Sequence, residues 1–130
     1  MLTLKVLKIA AVAAFCAAPA LADPAAGVWK TEADGKGQTA LVVSQPCGDA
    51  LCGTITEVMN SAGETIEHRN VGRRIFWDVQ PVSPGVYEGR AFVPAFGAEY
   101  AAEMTLQGDK MKVGGCFGPI CKSQTWTRVK

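Results

Sequence analysis

The sequence predicts an all-β domain, an eight-stranded antiparallel up-and-down barrel, and three observations carry that expectation. Short apolar runs alternate with turns bearing Gly or Pro from residue 26 onward, and no segment sustains a helical period. The strand region also begins with Gly27-Val28-Trp29 and ends with Trp126-Thr127-Arg128, a matched pair of tryptophan motifs.

Residues 1–22 read as a separate element. Lys5 and Lys8 precede an apolar run from Ile9 to Phe15, and small residues follow to Ala20-Leu21-Ala22, the order of a secretory signal with cleavage expected before Asp23. An uncleaved anchor would need about 20 apolar residues. Bulky Phe15 stands where a small residue should precede a lipidated Cys16. The domain is therefore expected to span 23–130, with no membrane anchor after cleavage and a periplasmic or secreted location.

Removing 22 of the 130 residues leaves 108, enough for one domain with a modest core. Of 13 basic residues Lys5 and Lys8 leave with the signal, so 11 remain against 12 acidic ones. A balance so near neutrality steers neither nucleic acid nor an anionic membrane, so no nucleic-acid partner is expected. A protein partner is not assigned.

Eight strands are predicted, at 26–32, 37–45, 52–59, 73–79, 85–93, 98–107, 110–116 and 121–129. Their turns supply glycine for positive φ or proline for a preset φ, as in Asp34-Gly35, Ser83-Pro84-Gly85, Gly108-Asp109 and Gly118-Pro119. The sixth strand alternates best, with Tyr100, Ala102, Met104 and Leu106 on one face and Glu99, Glu103 and Gln107 among those opposite. The seventh opposes Met111 and Val113 to Lys110 and Lys112. The strands at 37–45 and 52–59 alternate poorly. The connection at 60–72 is long and is expected to form a barrel mouth or lid.

Periodicity alone does not choose between a sandwich and a closed barrel. The two ends do, because the first and last strands of a closed meander are neighbours. Trp29 near one barrel end is expected to make a large apolar plug, and Arg128 from the adjoining strand can lay its guanidinium across the indole. Gly27, Trp29 and Arg128 in these positions resemble the structural signature of the lipocalin and calycin barrels.

The chain from 26 to 129 also resembles a bacterial family of exported small proteins, domain of unknown function 2147. The residues that carry this are Gly27-Val28-Trp29, the Cys47 to Gly53 hairpin, Val93-Pro94 with Gly97 and Tyr100, and GGCFGPICKSQTWTR at the close. The resemblance implies a small calycin-like barrel and brings no catalytic residues with it.

With Cys16 removed, Cys47, Cys52, Cys116 and Cys121 remain, an even count that reads as a disulfide framework in an exported chain. Each Cys-x4-Cys unit brackets a hairpin loop, so local pairing is expected. Two other connectivities stay open, each tying the hairpins together if they abut at one rim. The spacing lies at the limit for a zinc site, so no metal is assigned. No Cys-x-x-Cys at a helix start supports redox chemistry.

His68, the sole histidine, sits in the polar run Glu67-His68-Arg69-Asn70 with no nucleophile beside it. No catalytic residue, cofactor or phosphate cradle is read, and the protein is expected not to be an enzyme. The expected function is an exported barrel that binds a small apolar ligand, with Trp77, Phe92, Tyr100 and Met104 as lining and access near 60–72. Ala98 and Ala102 would leave space beside Tyr100 and Met104. The alternative is a disulfide-stapled envelope interaction module whose barrel is filled and holds no ligand.

Overall fold

The computed structural model describes residues 22–130; apart from Ala22, the leader read at 1–22 lies outside them. The strands are β1 (Gly27–Lys30), β2 (Thr39–Cys47), β3 (Ala50–Met59), β4 (Thr65–Ile66), β5 (Arg74–Ser83), β6 (Val86–Val93), β7 (Ala98–Gln107), β8 (Lys110–Phe117) and β9 (Ile120–Arg128). Eight of them close an antiparallel ring, β1–β2–β3–β5–β6–β7–β8–β9 and back to β1. Two-residue β4 pairs only with the far end of β3, inside the long connection expected at the mouth.

Alternating strand directions sort the connections into two ends. One end collects 31–38, 60–73, 94–97 and 118–119; the other collects 48–49, 84–85, 108–109 and the segments before β1 and after β9. The disulfides are local, Cys47–Cys52 and Cys116–Cys121. They staple hairpins at opposite ends of the barrel, a placement that rules out both crossed connectivities.

The ring is apolar inside and polar outside. On β7, Ala102 and Met104 are buried while Glu99, Ala101 and Glu103 are exposed, and on β8 Met111 and Val113 are buried between exposed Lys110 and Lys112. This is the reverse of a membrane-spanning barrel, whose outward face must be apolar.

Two strands break the alternation, each at a bulge. Leu41 pairs with Glu57 but Val42 with Ile55, so Thr56 is an extra residue and the period of β3 slips. On β5, Asp78 has φ 54° and is extra to both neighbours, because Trp77 faces Arg90 while Gln80 faces Glu88, and Phe76 faces Gly53 while Val79 faces Leu51. Phe76 and Val79 therefore both point inward although they stand three apart. Pairing of β5 with β6 continues to Ser83, past the expected end at 79.

Rings pack over glycines across the inner wall. A Cβ on Gly53 would collide with the Phe76 ring, and one on Gly115 with the Tyr100 ring. Each ring takes the space that a neighbouring side chain would fill, so it lies against the sheet rather than across the lumen.

Closure rests on a short seam. Only two register pairs, Trp29↔Arg128 and Lys30↔Thr127, join β1 to β9. Arg128 reinforces them: its guanidinium carbon lies 4.4 Å from the centroid of the Trp29 ring, Nη1 donates to Ala26 O at 2.9 Å, and Nη2 donates to Pro24 O. Nε lies 3.7 Å from Asp109 Oδ1. Gly27, with φ 132°, makes room, since a Cβ there would meet Nη1 at 2.8 Å. Arg128→Met keeps the stem and loses the stacking and donors; urea unfolding is expected to show a loss of about 2–3 kcal/mol. Lys112→Met, on the exposed face of β8, is expected to change stability by less than about 0.5 kcal/mol.

Candidate functional site

The barrel is shut at the Trp29 end. The Trp29 side chain is fully buried, and its indole Nε1 donates to Ala25 O at 3.0 Å, so the segment before β1 folds across the opening. Tyr87, pointing inward from β6, donates from its hydroxyl to Asp23 Oδ1 at 2.7 Å, and the same oxygen accepts the Ala25 N–H at 2.8 Å. Burial first, then the hydrogen bond and charge of Asp23, push the Tyr87 phenol up from 10.0 to about 12.

Above this floor lies a cavity of about 510 Å3 that opens at the other end. Ile55, Phe76, Ala91, Met104, Val113 and Trp126 form its apolar wall, contributed by six different strands. The Phe76 and Trp126 rings stand 6.1 Å apart at 38°, and the Trp126 Nε1 donates to Gln124 Oε1 at 2.6 Å, so the one polar atom of that ring is satisfied. The mouth is polar along 31–38 and from His68 to Asn70, and apolar from Val93 to Phe96.

The four residues expected to line the cavity separate into three placements. Tyr100 and Met104 stand on its wall, and burial pushes the Tyr100 phenol up from its ordinary value. Phe92 occupies an outward position of β6, with the Arg73 guanidinium carbon 4.6 Å from its ring centroid, and meets the cavity only at the rim. Trp77 is a correction. The Asp78 bulge turns Phe76 inward and leaves Trp77 on the outer face, half-buried beneath Arg74 at 5.1 Å.

The space comes from other alanines than expected. Ala98 and Ala102 are not part of the cavity wall, whereas Ala40 and Ala91 are. His68, from the polar run 67–70, is half-buried at the mouth; its Nδ1 accepts the Asn70 N–H at 3.1 Å, which places the ring proton on Nε2. Phe76, one of the aromatic residues that the sequence offers for a cavity, stands on the wall in place of Trp77, and Trp126 is a wall residue that sequence reading passed over. The signal for Trp126 was the alternation that puts it across from Met111.

Two hairpin tips rise beside the mouth. Phe96 and Phe117 meet edge to face at 6.0 Å, and Phe117 lies 5.4 Å from Tyr100. Phe96 and Ile120 remain 58% and 61% exposed, a large apolar area for a rim.

Residues 27–128 match the family model described as "Uncharacterized protein conserved in bacteria (DUF2147)". The chain belongs to that family. Among solved structures, it is similar to protein HP1028 from the human pathogen Helicobacter pylori, described as belonging to the lipocalin family. The TM-score is 0.63 at 14% identity, covering 81% of this chain and 82% of that one. That likeness establishes a lipocalin-like fold for this DUF2147 protein. No curated protein sequence matches the chain.

The floor yields a test by pH. Because folding raises the Tyr87 pKa, its contribution is complete below the unfolded value of 10.0 and is lost as pH rises through about 12. Urea midpoints measured across that window are expected to fall more steeply for the native protein than for Tyr87→Phe.

Proposed function

We propose that this DUF2147 protein is an exported, non-catalytic carrier that holds one small, mainly apolar molecule inside its barrel. One observation carries the reading: the lumen is walled by apolar side chains, sealed at the Trp29 end and open at the other. A volume of about 510 Å3 falls within the range of about 300–1,000 Å3 typical of small-molecule sites. Two disulfides fit an oxidising compartment, the periplasm or the cell exterior. His68 spends Nδ1 on a backbone amide, an arrangement suited to holding the loop rather than to activating a nucleophile.

A second reading, an interaction module acting through its surface, draws on exposed Phe96 and Ile120 at the hairpin tips. The carrier reading accounts for the same residues as an apolar approach to the mouth.

The test is the intact mass of protein purified from the compartment to which it is exported. Under non-denaturing conditions a discrete extra mass is expected, and denaturation should release it. Ala91→Phe fills the wall and should abolish the extra mass with circular dichroism unchanged. Bare native protein, also unable to take up a neutral apolar probe, would overturn the carrier reading in favour of the surface module.

A further inference from the structure

The charged groups around the mouth are not equivalent, and the difference points to the ligand's head. Five charged side chains line it: Glu32 and Asp34 against Lys36, Arg69 and Lys122. Both carboxylates are already engaged with the backbone. Glu32 Oε2 accepts the Thr125 N–H at 2.8 Å, and Asp34 Oδ1 accepts the N–H groups of Lys36 and Gln38 at 2.8 and 2.9 Å.

The cations are not committed in this way. Among the described residues the ion pairs are Arg90–Glu99 at 3.9 Å and Arg128–Asp109 at 3.7 Å, and neither involves Lys36, Arg69 or Lys122. Lys122 instead lies 5.5 Å over the exposed Phe96 ring, with its ammonium at the rim. His68 adds an N–H donor, because Nδ1 is held as acceptor and the proton sits on Nε2. A mouth whose polar side carries an excess of unpaired donors therefore caps an apolar shaft.

We infer that the ligand is a single-chain amphiphile with an anionic head: the aliphatic chain occupies the lumen against Phe76, Met104 and Trp126, and Arg69, Lys122, Lys36 and His68 Nε2–H receive the carboxylate or phosphate at the mouth. This rests on the carrier reading and adds the chemistry of the head. Near-neutral overall charge is no obstacle, since recognition depends on the local excess where the chain enters, and charge-assisted hydrogen bonds are the strong ones. Exposed Phe96 and Ile120 offer the chain an apolar path over the rim.

The experiment compares dodecanoic acid with dodecanol and methyl dodecanoate, which share the chain and lack the charge. Binding to the full exported protein is read by tryptophan fluorescence, below the critical micelle concentration and at low salt. The acid is expected to bind at least about tenfold more tightly than either neutral compound, the size of one charge-assisted hydrogen bond. Raising the salt should narrow the gap. Arg69→Gln with Lys122→Gln should remove most of the preference for the acid while leaving dodecanol affinity and the melting temperature unchanged.

Equal affinity of the three compounds would overturn the anionic head and leave the carrier standing. Failure of all three to bind would overturn both readings. Dodecyl phosphate and lysophosphatidylglycerol distinguish the source: tighter binding of the lysolipid than of the free acid assigns a lipid headgroup, and the reverse assigns a free acid.

Discussion

The structure depends on the seam between its first and last strands. Every other neighbouring pair in the ring shares a longer ladder, whereas β1 and β9 pair in register at two positions, continued by backbone bonds between Val28 and residues 129–130. An open seam would present two unpaired strand edges and let water into the apolar interior. Arg128 compensates by joining four things at once: the Trp29 ring, the carbonyls of Pro24 and Ala26, and the Asp109 carboxylate. The same contacts pull residues 23–26 across the barrel end, where Ala25 and Asp23 hold Trp29 and Tyr87. Closing the sheet and sealing the floor are thus one event.

The lumen above the floor survives because large side chains lie along the wall. Eight strands enclose an interior only wide enough for side chains or one small ligand. Glycines at 53 and 115 let Phe76 and Tyr100 fold against neighbouring strands, and alanines at 40 and 91 widen the shaft. The result is a hydrocarbon lumen below a mouth that carries both donors and an apolar side, and the two disulfides brace one hairpin at each end.

Much of this was legible in the residues, for physical reasons that also explain the rest. Strand β7 has regular alternation and no bulge, so Tyr100 and Met104 could be placed inside from period alone. Gly27, Trp29 and Arg128 were legible because a closed meander brings chain ends together, which makes a motif at each end informative. Trp77 was misplaced because one residue with positive φ, Asp78, shifts the parity of β5; aspartate tolerates that conformation, but it is equally at home on the exposed face of a regular strand end. The poor alternation of β3 likewise comes from one extra residue, Thr56. The charge division at the mouth was hidden for another reason. It joins residues from 31–38, 68–70 and 122 that only the ring brings together.

Three tryptophans report on the three regions that matter: Trp29 in the floor, Trp126 on the cavity wall and Trp77 on the outer face. The most direct measurement is an NMR titration of their indole N–H signals with a neutral apolar probe, N-phenyl-1-naphthylamine. A sealed floor beneath an open lumen predicts a large shift of the Trp126 signal, with Trp29 and Trp77 nearly still. A shift confined to Trp77, or no shift at saturating probe, would contradict an accessible cavity.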